Sequence, residues 1–257
     1  MKNTLLPLIC LLVSGLSFSA CKDFDGGTGT PSTDFEVTFR SNYDGAQLEK
    51  SKDYDYNGHP LNFTVFTLFL SDITLLKGTE EYVLTDVDFF DFLPNASPTK
   101  LSATPKRIYK NVPEGEYTGI RIGYGVRPDY NIRRISDWPA GHPLANDKEY
   151  WLGWVSFIFN KIEGAGDANN DGVSDHFLVY HCGGDGVYKT FTFNQPIHVH
   201  AGGKGLDVAF DLKTLFIQND GSFYDMVKNS QTSNDKNDLV VANAIMSQYG
   251  KATTIKQ

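Results

Sequence analysis

The stretch YTGIRIGYGVR, residues 117–127, decides the fold class of this chain. Ile120, Ile122, Tyr124 and Val126 fall at alternate positions, and arginines and glycines occupy positions 121, 123, 125 and 127. Successive side chains of a strand point to opposite faces, so this alternation predicts a strand with one buried face.

Similar short runs of aromatic and β-branched residues recur on both sides of this stretch, broken by Gly, Pro, Asn and Asp. No helical periodicity separates them, which favours antiparallel pairing in a β-sandwich over alternating strands and helices. The predicted strands span residues 35–40, 62–70, 82–92, 117–127, 152–162, 176–182, 188–194 and 206–212.

The end of the chain has a different pattern. DLVVANAIMSQYG, residues 238–250, offers an Asp cap and apolar residues at helical spacing before a glycine. We predict a helix there, preceded by a shorter one at 223–228. The fold class is therefore all-β: an antiparallel β-sandwich with a short C-terminal helical segment.

Residues 1–20 have the features of a secretory signal: one lysine, a short apolar run and a region of small residues. Cys21 follows directly, where bacterial lipoprotein processing would cut and attach lipid. Residues 21–34 are rich in Gly, Ser, Thr and Pro and form a flexible tether to a single domain at 35–257. We expect a protein anchored by lipid to the outer membrane or cell surface.

Composition excludes other classes of protein. The 257 residues carry 23 basic and 31 acidic side chains, a net charge of −8, whereas non-specific phosphate binding needs clustered Lys and Arg. We therefore expect no nucleic-acid partner. Apart from the first twenty residues, no apolar run is long enough to span a bilayer, so the lipid is the only expected membrane contact.

The stretch DANNDGVSD, residues 167–175, resembles a calcium-binding loop. Its oxygen ligands fall at alternate positions, with a glycine at the sharp turn and a main-chain carbonyl available, although the bidentate Glu of an EF-hand is absent. The alternative is an acidic hairpin turn without an ion. The predicted calcium ligands are Asp167, Asn169, Asp171, Val173 and Asp175.

Histidines form a second group with metal-binding potential. His198 and His200 are two residues apart, so on a strand both rings would face the same side, and neutral imidazole suits copper and zinc. A pair of exposed histidines without metal is the alternative. His142 lies in a loop, and His181 ends a predicted strand beside Cys182.

A set of short motifs spread over residues 35–217 occurs together in one known family. They are LFLSDITLL (68–76), LTDVDFFDF (84–92), HPL (142–144), YW (150–151), FIFNKIEG (157–164), YHCGG (180–184), PIHV (196–199) and DVAFDL (207–212). In this combination the chain resembles the methanobactin-associated copper-binding protein (MbnP-like) family.

The resemblance implies an exported β-sandwich with a copper site built from histidines and a tryptophan that can be oxidised to kynurenine. His142, Trp151 and His181 match the family motifs. The family's Trp-x-Trp is replaced by Trp151-x-x-Trp154, and a cysteine follows His181 directly. The resemblance also implies a diheme cytochrome c peroxidase-like enzyme as a partner.

The leading functional hypothesis is a lipid-anchored copper-binding protein for scavenging or delivery, stabilised by calcium and not an enzyme. Its copper ligands would be His142, Trp151 and His181, or the pair His198 and His200. No nucleophile elbow, P-loop or dinucleotide fingerprint occurs. The alternatives are a calcium-stabilised adhesion or glycan-binding lipoprotein that uses its tryptophans as stacking platforms, and a metal-dependent oxygenase.

Overall fold

Strands dominate the part of the chain that the computed structural model describes, residues 30–95 and 103–257. The strands are β1 (Ser32–Tyr43), β2 (Ala46–Gln47), β3 (Tyr54–Tyr56), β4 (His59–Lys77), β5 (Glu80–Asp91), β6 (Lys106–Pro113), β7 (Gly115–Tyr124), β8 (Tyr150–Trp151), β9 (Ser156–Gly166), β10 (His176–Gly183), β11 (Lys189–Val199), β12 (Leu206–Asp211) and β13 (Thr253–Lys256). The α-helices are α1 (Pro128–Asn131), α2 (Leu212–Leu215), α3 (Val240–Met246) and α4 (Tyr249–Ala252). Short 3-10 turns lie at Ile135–Asp137, Pro143–Ala145, Asp147–Glu149 and Asp185–Val187.

The strands form two sheets. In the first, the order is β13-β12-β1-β2, with β6 also paired to β1. In the second, the order is β10-β9-β4-β7-β11, with β3 and β5 paired to β4 and β8 paired to β9. The all-β prediction is confirmed, and one pair differs from the antiparallel pattern: β1 and β12 run parallel, from Val37 opposite Leu206 to Asn42 opposite Asp211.

Aromatic side chains join the two sheets. Phe39 of β1 lies 4.4 Å from Phe90 of β5, and Phe210 of β12 lies 5.7 Å from Phe92 (ring centroids). These four phenylalanines are almost fully buried. Burial of each such side chain stabilises the fold by about 1.5–3 kcal/mol, so this cluster contributes to holding the two sheets together.

The stretch at 117–127 forms most of β7, with Ile120, Ile122 and Tyr124 fully buried as the alternation predicts. The strand ends at Tyr124, three residues earlier than predicted. Gly125 has φ +103°, and a Cβ added there would lie 2.4 Å from Cδ2 of Phe159. A glycine is required at this position because both its backbone angle and its space exclude a side chain.

The C-terminal helix is confirmed as α3 and continues after a short break into α4, whose Tyr249 stacks on Tyr124 at 4.7 Å. The shorter helix predicted at 223–228 is wrong. That segment is a turn, in which the Asp225 side chain accepts the Lys228 N–H and the Asp225 carbonyl accepts the Asn229 N–H. The Asp side chain thus competes with a continuous helical hydrogen-bond pattern.

Residues Ser32–Gln257 form one compact unit. β1 begins at Ser32, so residues 32–34, which were predicted to end the tether, belong to the first strand instead. The predicted signal peptide and Cys21 lie outside the described residues. Within residues 30–95 and 103–257, no helix has the length and apolar character needed to cross a membrane.

Candidate functional site

His181 lies on β10 and forms a carboxylate–histidine pair with the neighbouring strand. Its Nε2 is 2.7 Å from Oε1 of Glu163 on β9. Burial lowers the pKa of His181, and this effect outweighs the carboxylate of Glu163, which acts in the opposite direction. A neutral ring that donates its Nε2–H to Glu163 keeps a lone pair on Nδ1, which is the form that binds a metal ion.

Charged and polar side chains lie beside this pair. Lys161 is the cross-strand partner of His181 in the β9–β10 register, and its Nζ lies 3.1 Å from Glu149. Thr67 of β4 donates a hydrogen bond to the same carboxylate. Glu149 is only 5% exposed, and burial raises the pKa of its carboxyl group. The resulting polar group, His181 with Glu163, Lys161 and Glu149, was missed from the sequence.

His142 lies in the long connection between β7 and β8. Its Nδ1 accepts the Leu144 N–H at 3.1 Å and so caps a 3-10 turn. The ring stacks on Trp138 at 4.4 Å with an interplanar angle of 11°. Burial lowers the pKa of His142. Because Nδ1 accepts the Leu144 N–H, the neutral ring carries its proton on Nε2. A metal bound to Nε2 would require the proton to move to Nδ1, and the Leu144 hydrogen bond would then be lost.

Trp151 and Trp154 stack on each other, with ring centroids 4.8 Å apart and planes 8° apart. The turn between them ends at Val155, which has φ +55°, an unusual angle for a β-branched residue. Trp154 also donates its Nε1–H to the Asn234 carbonyl. The Trp-x-x-Trp spacing thus produces a stacked pair that is half-buried.

His198 and His200 line the same surface pocket at the end of a strand. β11 ends at Val199, so only His198 lies on it. His198 contacts the Glu116 carboxylate through Nδ1, and His200 Nδ1 lies 3.3 Å from the Ala201 carbonyl oxygen. Both histidines are exposed.

The five predicted copper ligands have different partners: His181 pairs with Glu163, His142 with Trp138, Trp151 with Trp154, His198 with Glu116, and His200 with Ala201. Among residues 30–95 and 103–257, no three His, Cys, Asp or Glu side chains are grouped closely enough to hold a metal ion on their own.

The predicted calcium loop lies between β9 and β10 and is organised by its own side chains. The Asp167 carboxylate is buried and accepts the N–H groups of Asp171 and Gly172. Asn169 Oδ1 also accepts the Asp171 N–H, and Asp171 accepts that of Val173. The Asp175 N–H bonds to the Val173 carbonyl. These bonds hold the loop in a tight turn.

Cys182 is fully buried on the face of β10 opposite His181, as expected for adjacent strand residues. Burial raises the pKa of its thiol well above the usual range. The thiol is therefore protonated at neutral pH and is a poor nucleophile and metal ligand.

Comparison with known proteins agrees with the fold. No curated protein matches the chain. The structure of MbnP from Methylosinus trichosporium is similar, with 16% sequence identity and a TM-score of 0.58 over 87% of this chain and 98% of that chain. At this identity the similarity concerns the fold. The MbnP family model matches residues 32–240, most of the described part, and this match shows that the chain belongs to the MbnP family.

Proposed function

We propose that this protein is an exported, lipid-anchored copper-binding protein that scavenges or delivers copper at the cell surface and is not an enzyme. The observation that carries the proposal is the His181–Glu163 pair. Histidines that bind metals usually donate their second N–H to a carboxylate or carbonyl, which fixes the tautomer and makes the ligand nitrogen more basic. Membership of a family associated with methanobactin systems supports the same function.

Copper would bind Nδ1 of His181. The family resemblance adds His142 and Trp151 as further ligands, although His142 must first release the Leu144 N–H. Imidazole is a suitable ligand for copper. The protein would hold the bound copper until it is transferred to a partner. The proposed partner is the diheme cytochrome c peroxidase-like enzyme implied by the resemblance.

The tryptophans favour this function over glycan binding. Trp151 and Trp154 each cover one face of the other, and His142 covers one face of Trp138, so each indole keeps at most one face for a sugar ring. The half-buried position of all three also limits their contact with a sugar ring.

Copper titration of His181→Ala tests the site. We expect loss of high-affinity Cu(I) binding, measured by competition with a chromophoric chelator, and an unchanged circular dichroism spectrum. The matched control is the double variant His198→Ala, His200→Ala, which removes the other candidate pair and should bind copper normally. Retained binding in His181→Ala and loss in the control would move the site to the second pair and contradict the proposal.

The anchor and the calcium loop belong to the same proposal. Lipid on Cys21 would place the protein on the membrane, and Cys21→Ser should move it from the membrane fraction to the soluble fraction of the host.

Calcium would bind the loop at 167–175 and stabilise the β9–β10 hairpin. Carboxylate, amide and carbonyl oxygens, such as those of Asp171, Asn169 and Val173, are the ligands that Ca²⁺ prefers.

A further inference from the structure

A cavity of about 300 Å³ lies at one end of the sandwich, away from the residues assigned to copper. It is lined by the β3–β4 turn, the end of β9, the start of β10 and the segment 223–227. His176 lines it from β10. Because His176 and His181 are an odd number of residues apart on one strand, their side chains point to opposite faces of the sheet.

The cavity has a wall that is fixed before any ligand binds. The Tyr56 hydroxyl lies 2.7 Å from the Tyr224 carbonyl oxygen and 2.8 Å from that of Phe216. The Tyr56 ring meets Phe223 edge to face at 5.0 Å. His176 Nε2 lies 3.2 Å from the Met226 carbonyl oxygen. These contacts hold the segment 223–227 against the β3–β4 hairpin through Tyr56 and against the β9–β10 hairpin through His176. They form the cavity wall without a ligand.

One buried polar atom of the lining, Nδ1 of His59, has no hydrogen-bond partner, which supports a binding site here. A carbonyl oxygen can only accept, so His176 carries its proton on Nε2 and keeps a lone pair on Nδ1 when the ring is neutral. An unsatisfied buried polar atom is costly, and a ligand that donates a hydrogen bond removes that cost.

The charge of the lining selects the ligand. Of the residues that the structure describes, Asp167 and Asp225 line the cavity and no Lys or Arg does. Asp167 already accepts two main-chain N–H groups, and Oδ1 of Asp225 accepts that of Lys228. The free acceptor capacity of Asp225 and of His176 Nδ1 is therefore available to a cation or a hydrogen-bond donor, and His59 Nδ1 accepts as well when the His59 proton is on Nε2.

The volume and the apolar wall decide between kinds of cation. A cavity of about 300 Å³ is at the lower end of the range for small-molecule sites and far exceeds the space of one metal ion. Apolar and aromatic side chains, including Leu61, Leu178 and Phe223, make up much of the remaining lining. We propose that this cavity binds a small organic primary amine, with its ammonium group toward Asp225 and the histidines and its apolar body against the aromatic wall.

Two probes of the same shape and opposite charge test the proposal: phenethylamine and phenylpropionate. We expect isothermal titration calorimetry of the full chain to show one phenethylamine site and at least about tenfold weaker binding of phenylpropionate, because the carboxylates of the lining attract an ammonium group and repel a carboxylate. Equal binding of both probes, or no binding of the amine, would overturn the proposal.

Variants locate the site. Asp225→Asn should weaken phenethylamine binding up to about fivefold, the range for an exposed ion pair, because Asp225 is itself exposed. The control Asp147→Asn, which is also exposed but lies outside the lining, should not change it. Ala168→Trp introduces a large side chain at a half-buried position of the lining and should abolish binding while the circular dichroism spectrum stays unchanged. Amine binding that survives Ala168→Trp would place the ligand elsewhere and contradict the proposal.

A metal ion is the competing ligand. Zinc or Cu(I) binding that is lost in His59→Ala, without any amine binding, would overturn the amine assignment in favour of a metal site. Copper binding through His181 is tested separately with His181→Ala. The copper proposal and the amine proposal can therefore fail independently of each other.

Discussion

Nε2 of His181 and Oε1 of Glu163 lie 2.7 Å apart across the adjacent strands β10 and β9. The two residues are diagonal neighbours, because the residue directly opposite His181 is Lys161. The pair orients the imidazole and fixes its proton. Both effects act on the opposite ring nitrogen, so Glu163 is a positioning residue for whatever binds there.

Glu163→Gln should therefore weaken copper binding without removing it. We expect about 10–100-fold lower affinity, because the carboxylate partner of a metal-binding histidine typically contributes that much. Cu(I) affinity measured by chelator competition checks it. The matched control is Glu116→Gln, which alters the exposed pair with His198. An equal loss of affinity in both variants would show that the His181 pair has no special role.

The pH dependence of stability should include a contribution from His181. Burial lowers its folded-state pKa from 6.5, so the unfolded chain takes up the proton first as the pH falls. The folded state therefore loses stability below about pH 6.5, and this loss continues until the folded-state pKa is passed. We expect the fall in Tm between about pH 7.5 and about pH 5.5, without metal, to be smaller in His181→Gln than in the parent.

The control for this measurement is His200→Gln, because His200 is exposed. Its Tm should fall with pH as in the parent protein. If His181→Gln and the parent lose Tm in parallel, burial of His181 does not couple to folding.

Calcium should stabilise the parent protein but not a variant of the loop at 167–175. Asp171→Ala removes a carboxylate that accepts the Val173 N–H and would also bind the ion. A ligand at a hundred times its dissociation constant stabilises the folded state by about 2.7 kcal/mol. We expect Asp171→Ala to lower Tm in calcium much more than in chelator. A decrease of the same size in both buffers would mean that the loop acts only through its hydrogen bonds.

The predicted strands were found because their buried side chains alternate, as in β7 and β10. β6 was missed because it pairs only with β1 in the first sheet and mixes charged residues with an exposed Ile108. β13 was missed because its four residues are too few for a pattern. The parallel pairing of β1 with β12 leaves no trace in the alternation of either strand.

The site was harder to predict than the fold. His181 was identified by its motif, but its pairing with Glu163 depends on the register of two strands, which the sequence does not display. His198 lies on β11 and His200 does not, because β11 ends at Val199, and the sequence does not display where that strand ends. Trp138 and His142 are four residues apart in a segment without helix or strand, so their stacking depends on a loop conformation that the sequence does not display.

Gly125→Ala should destabilise the sandwich severely. The residue has φ +103°, and the new Cβ would lie 2.4 Å from Cδ2 and 2.8 Å from Cγ of Phe159, whose ring is fully buried. The backbone strain costs about 1–2 kcal/mol, and the overlap in a packed core adds about 1–3 kcal/mol. The matched control is Gly141→Ala, because Gly141 has φ +85° and open space around its Cα. The control should lose only the backbone part. Urea unfolding of both variants measures the difference, and equal losses would mean that Phe159 moves aside without cost.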